Sequence, residues 1–193
     1  MKLLILDTET GGLDPEKHSI LQVGAILWEL DAPIVGQPVF EQKIIEMPCN
    51  VDPEALAVNG IDIARHRQVA LTPGEALHGF KRWLDQHFDE EKVVLGGHNI
   101  GFDVSFIRRL YRVCYGEDGA KLYEERFSHR TLDTASIARF LIMAGLVPVQ
   151  DPKSNSLFEH FGVSPERPHD ALEDAIATAR LLNKLLEVVR GRA

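Results

Sequence analysis

Asp7 and Glu9 lie two residues apart at the end of KLLILDTE, the most hydrophobic strand-like segment of the chain. Residues two apart in a strand share a face, so both carboxylates fall on the side of Leu3 and Ile5. An ionised pair there is costly to desolvate and repels itself unless a cation compensates. The same two acids would also serve simply to open the polar turn TGGLDP. Asp103 heads a helical stripe of Phe106, Ile107, Leu110 and Cys114, which places an acid above a buried face. A first-turn aspartate can equally complement a helix dipole. Asp174 repeats the arrangement above Ala177, Thr178, Leu181, Leu182 and Leu185. Asp170 and Glu173 have capping-box spacing, which makes His169 the N′ residue and Asp174 the N4 residue. A hydrophobic staple normally joins those two positions. His169 is therefore expected on a mobile approach outside the helix, close enough to Asp174 to share a site.

Hard oxygen donors of this kind suit Mg²⁺ or Mn²⁺ rather than zinc. Four carboxylates carry about the charge needed to hold two divalent cations, and paired cations favour in-line displacement at phosphorus. A histidine titrating near neutrality is suited to deprotonating the attacking water.

The elements that must position these groups follow from the periodicities. Residues 2–9 read as a strand buried on both faces, and residues 20–30 and 38–46 as two more. Short links between the three indicate a meander. Asp52 and Pro53 open a short helix as N-cap and first residue. Leu77, Phe80 and Leu84 mark a helix in TPGEALHGFKRWLDQHF. A strand is expected at 92–97, a helix at about 101–115, a short strand at HRTLD (129–133) and a helix at about 134–145. A short helix at 155–161 and a long one at about 170–190 complete an α/β chain with a mixed sheet. Asp133, in TLDT, reads as an N-cap.

The 193 residues amount to about one domain. Hydrophobic content of 45% and charged content of 26% exclude a mainly disordered or collagen-like chain. The longest uncharged apolar stretch, Phe140 to Val149, is too short to span a bilayer, and the N-terminus lacks signal-peptide features. Cys49 and Cys114 form neither a disulfide framework nor a zinc cluster, usage that suits a reducing cytoplasm. A net charge of −8 argues against bulk electrostatic binding of nucleic acid. It leaves room for acids clustered around metal ions, which invert the local field. Phosphate contacts would have to come from Arg65/Arg67, Arg108/Arg109/Arg112 and Arg126/Arg130, giving weak, distributive and salt-sensitive binding.

LDTETGGLDP, GHNIGFDVSFI and HDALEDA together resemble the three motifs of the DEDDh (DnaQ-like) 3′–5′ exonucleases, in order and over nearly the whole chain. That resemblance implies an RNase H-like fold, a mixed five-stranded sheet flanked by helices, in a single exonuclease domain over 1–193. It implies that Asp7, Glu9, Asp103 and Asp174 hold two divalent cations, Mg²⁺ or Mn²⁺, with His169 as general base. A sister group has tyrosine where Asp170 stands, so the histidine class is indicated. VDPEALAVNGID is most similar to the proofreading epsilon subunit of DNA polymerase III and to ribonuclease T. The substrate implied is the 3′ end of single-stranded DNA or RNA. Glu54 and Asn59 would contact the terminal nucleotide, with Thr10 and Leu13 beside its base and Asn99 and Phe102 further along. Leu13 and Phe102 are suitable apolar surfaces for an unstacked base. Leu13 and Val58 stand where ribonuclease T has phenylalanines. A polymerase partner is also implied, although no tethering tail follows the last helix.

Three other readings compete, one of them a subunit that works only inside a polymerase, which the missing tail weakens. A HAD-type phosphatase would begin D-x-D-x-T/V, but Glu9 replaces its second aspartate and no later Gly-Asp loop is evident. A non-catalytic binding module would usually have lost a metal ligand, and all five active-site positions are filled here.

Overall fold

The computed structural model describes residues 1–89 and 92–191. The buried strand β1 (Lys2–Thr10) pairs antiparallel with β2 (Ile20–Glu29), which pairs antiparallel with β3 (Val39–Lys43). After α1 (Pro53–Asn59), α2 (Ile63–Val69) and α3 (Pro73–His87), the chain returns as β4 (Val93–Gly97), parallel to β1. Helices α4 (Gly101–Tyr115) and α5 (Gly119–Arg126) lead to β5 (Phe127–Asp133), parallel to β4. The chain ends with α6 (Thr134–Met143), α7 (Ser154–Phe161) and α8 (Ala171–Val189). The sheet order is β3-β2-β1-β4-β5, the mixed five-stranded sheet expected from the pattern.

Alternation along β1 divides the core. Leu4 and Leu6 pack with Phe80, Phe106 and Ile107 from α3 and α4, whereas Leu3 and Ile5 pack with Ala175, Ala179 and Leu182 of α8. A third cluster joins α6 and α7 to the remaining face of α8 through Ala177, Leu181 and Leu185. Among the described residues no helix is long and apolar enough to cross a membrane.

Several elements differ from the sequence expectation. Helices α2 and α5 were not legible, since IARHRQV buries only His66 and GAKLYEER only Gly119 and Tyr123. Neither segment carries an apolar stripe. The third strand ends at Lys43 rather than 46, and Ile44 bridges Leu71 instead. The fifth begins two residues early because Phe127 is anchored between Tyr111 and Tyr123. Asp52 does occupy the N-cap position of α1, but its side chain caps nothing there and pairs with His18.

Gly24 decides how close α8 comes to the sheet. It lies opposite Asp7 in the β1–β2 register, and a Cβ on it would come within 2.1 Å of the Ala171 and Leu172 backbone. Ala171, Ala175 and Ala179, all fully buried, continue that close contact along the helix. Gly24→Ala must displace the first turn of α8, which carries Asp174. We expect a loss of about 1–3 kcal/mol, typical of overpacking, together with impaired activity. Thermal unfolding of the variant checks this, and an unchanged Tm would refute it.

Candidate active site

Pairing between β1 and β4 stops at Ile5↔Gly96, while β1 runs on to Thr10. The strand end therefore projects beyond its neighbour, and the carboxyl ends of strands are where α/β sheets place their clefts. A cavity of about 240 Å³ lies there, lined by Asp7, Glu9, Asp103, His169 and Asp174. Three separate segments thus contribute to one cleft.

Asp7 and Glu9 follow Leu3 and Ile5 on the α8 face of the sheet. Asp174 reaches them from the first turn of α8. Its carboxylate accepts the backbone N–H of His169 at 3.0 Å, so a polar bond joins the two staple positions. Asp170 caps Glu173 N at 3.3 Å, but the Glu173 carboxylate turns to Arg167 at 3.4 Å, so only half of the capping box forms. His169 is exposed and has φ of 63°, a left-handed conformation that is uncommon outside glycine. Ligand atoms of Glu9, His169 and Asp174 all lie within 4.8 Å of one another.

Asp103 arrives from the opposite face. It is 3% exposed, and its Oδ1 accepts the Thr8 hydroxyl at 2.8 Å. Thr8 alternates with Asp7 and Glu9, so strand parity alone points it toward α4. That role was not read from the sequence, although parity was the signal available for it.

Burial dominates the electrostatics. Asp7 is pushed well above the usual carboxylate range by desolvation and then by Asp103, Glu9 and Asp174. Desolvation, with the like charges of Asp174 and Asp103, raises Glu9 to about 8. Asp103 rises to about 7 through burial, opposed by the Thr8 hydrogen bond. Asp174 is also raised by burial, against the pull of the His169 N–H. Four crowded carboxyls that resist ionisation fit a site built for divalent cations, and their oxygens are the hard donors Mg²⁺ and Mn²⁺ prefer.

This has a measurable consequence. Folded-state values of about 7 for Asp103 and 8 for Glu9 exceed the ordinary values of 3.8 and 4.5. The folded protein therefore keeps protons that the unfolded chain has already lost, and without cations stability falls as pH rises from about 3.8 to about 8. A cation that binds the ionised acids must reverse that trend. The Tm gain on adding Mg²⁺ or Mn²⁺ should be larger near pH 8 than near pH 5.5. A gain independent of pH would remove these carboxyls from the binding site.

The residues implied to contact substrate divide between two clefts. Asn99 lines the first, held at φ 62° with its backbone N–H on Asp133 Oδ1 at 2.8 Å. Asp133 also caps α6, as the sequence indicated. Thr10, Leu13, Glu54 and Asn59 line a second cavity of about 440 Å³, and Phe102 borders both. Leu13 is 83% exposed and Val58 is exposed too, so the second cavity presents bare apolar surface. The Asn59 amide is already engaged, donating to Thr10 O at 3.1 Å and accepting from Ile61 N at 3.0 Å. Sequence reasoning missed His98, Ser154, Asn155 and Phe158, which complete the first cleft. His98 adjoins Asn99 within the GHNIGFD segment but was given no role there, and Ser154, Asn155 and Phe158 follow no spacing that ties them to the acids.

Among the arginines expected to meet phosphate, Arg109 departs from the expectation, and three others pair with acids at the surface. Arg109 is nearly buried, paired with Glu46 at 2.6 Å, and is not available to phosphate. Arg112 pairs with Glu16 at 2.7 Å and Arg65 with Asp62 at 3.6 Å. Arg108 lies over the Tyr123 ring, 3.8 Å from Glu124. Cys49 and Cys114 are both free thiols.

Comparison with known proteins agrees with this architecture. The solved structure of Escherichia coli exonuclease I in complex with a dT13 oligonucleotide superposes with a TM-score of 0.78. It is 19% identical and covers 99% of this chain and 42% of that one, so the RNase H-like fold is shared. The chain is similar to the 3′-5′ DNA exonuclease Cap18 of Escherichia coli, 30% identical over 190 residues, covering 94% of this chain and 91% of that protein. Ribonuclease T of Yersinia enterocolitica is 26% identical over 191 residues, covering 95% and 83%. DNA polymerase III PolC-type of Thermotoga petrophila is 26% identical over 190 residues; the match covers 97% of this chain but 12% of the polymerase. The chain thus spans about an eighth of that relative's length. Residues 4–182 match the family model described as Exonuclease (RNase T), a span that takes in all three acid-bearing segments. On that match and the near full-length relative, the chain belongs to this exonuclease family.

Proposed function

We propose that the protein is a 3′–5′ exonuclease that removes nucleoside 5′-monophosphates one at a time from single-stranded nucleic acid. The observation that carries this reading is the convergence of Asp7, Glu9, Asp103, Asp174 and His169 on one cleft. Asp7, Glu9, Asp103 and Asp174 would hold two divalent cations, Mg²⁺ or Mn²⁺. Such a pair, when bound, stabilises the charge on the attacking and leaving oxygens of an in-line displacement.

The chain's own groups do the rest. His169, on a strained backbone beside Asp174, takes the proton of the attacking water on a ring nitrogen. The water oxygen then forms the new P–O bond as the bond to the 3′ oxygen of the penultimate nucleotide breaks, and that oxygen takes a proton from solvent to leave as the 3′-hydroxyl of the shortened strand. Thr8 holds the Asp103 carboxylate in one orientation. Leu13, Val58 and Phe102 offer apolar surfaces for the unstacked terminal base, and stacking of that kind tolerates any base. Glu54 lines the same cavity. The similarity to PolC-type polymerases supports a second reading, the same chemistry serving as a proofreading module beside a polymerase.

The test is degradation of 5′-labelled single-stranded DNA and RNA side by side with Mg²⁺, Mn²⁺ or EDTA. The reading expects a ladder shortening by one nucleotide from the 3′ end, abolished by EDTA. Cleavage that persists in EDTA, or fragments cut internally, would refute it. The faster ladder identifies the preferred sugar.

A further inference from the structure

His18, in the β1–β2 connection, is held by more contacts than a solvated loop histidine needs. Its side chain is only 14% exposed. Nδ1 accepts the Asp14 backbone N–H at 3.0 Å, which leaves the ring proton on Nε2, 3.0 Å from Asp52 Oδ2. The ring packs against Gly12 so closely that a Cβ there would come within 2.6 Å of it. The His18 carbonyl accepts from Arg109 Nε at 2.8 Å, and the same guanidinium is anchored on buried Glu46. Asp52 N donates to Gly11 O at 2.6 Å, closing the ring of contacts. One imidazole therefore joins the loop carrying Leu13 to the start of α1, which carries Glu54, and α4 backs it from behind.

Those joined walls are the two sides of the 440 Å³ cavity, and His18 and Asp52 line it together with Leu13 and Glu54. Leu13 stands almost fully in solvent, so its own packing does not fix its place. From this geometry we infer that His18 is a positioning residue, setting the gap between Leu13 and α1 that receives the terminal base. The inference rests on the exonuclease reading above. His18 touches no reacting atom; it acts through Gly12–Leu13 and through Asp52. Its loss widens and loosens the base cleft and leaves the carboxylate centre intact, so it costs affinity rather than chemistry.

The test is steady-state hydrolysis of a 5′-labelled single-stranded oligonucleotide ending in either a normal or an abasic 3′ residue. Wild type, His18→Ala and His18→Gln are compared. Loss of a hydrogen bond to a charged partner predicts a KM about tenfold higher for His18→Ala on the normal end, with kcat within about twofold of wild type. On the abasic end the penalty should vanish, because no base occupies the cleft. Glutamine keeps a donor for Asp52 and should recover most of the affinity. Should His18→Ala fail to fold, Gly12→Ala, which pushes on the same ring, takes its place in the comparison. An equal KM rise on both ends, a fall in kcat alone, or an unchanged KM would each overturn the inference. A wild type inactive on both ends would sink the exonuclease reading along with it, whereas an active wild type with an unaffected His18→Ala sinks this one alone.

Discussion

Asp7→Asn is expected to abolish turnover while making the cation-free protein more stable near pH 8. Both effects have one cause. Asp7 shares a buried cleft with Asp103, Glu9 and Asp174, whose charges add to desolvation in opposing its ionisation. A neutral amide of the same shape abolishes the cost, near pH 8, of either holding Asp7 protonated or ionising it among its neighbours. A gain of about 1 kcal/mol in a chain of this size shifts Tm by roughly 2–4 °C. Catalysis moves the other way. Several kcal/mol of charge stabilisation disappear with one anionic ligand, and at about 1.4 kcal/mol per factor of ten the rate falls about a thousandfold or more. The measurements are turnover of labelled single-stranded DNA and thermal unfolding in EDTA. An unchanged rate would reject the proposed centre. A lower Tm would show that Asp7 contributes net stability despite its neighbours.

His169→Asn should separate chemistry from cation binding. Asparagine tolerates the left-handed backbone at this position better than most residues, so the substitution removes the imidazole without adding strain. As general base, His169 is expected to account for about 10²–10⁴ of the rate. The Tm gain on adding Mn²⁺ should remain close to that of wild type. The opposite outcome has a structural basis too, because a His169 ring nitrogen lies within 4.8 Å of ligand atoms on Glu9 and Asp174. A variant that loses the cation-induced Tm gain in proportion to its rate would make His169 a ligand and remove it as the base.

Local periodicity was enough for much of this protein. Period two placed Asp7 and Glu9 on one face, the helical stripes placed Asp103 and Asp174 above buried surfaces, and cap spacing set His169 beside Asp174. Each of those relations spans a few residues of one element, where backbone geometry dictates direction. The antiparallel meander of the first three strands was legible for a similar reason, whereas the placing of β4 beside β1 and β5 beside β4 was not. What only the tertiary structure decided are relations across long stretches of chain. The Thr8–Asp103 hydrogen bond spans 95 residues, and the Arg109–Glu46 pair takes a presumed phosphate ligand out of play across 63. Gly24 sets the approach of α8 to β1, and His18 ties a turn to a helix that begins 35 residues later. Such contacts depend on which faces meet once the sheet has formed, and no spacing within a single element encodes that.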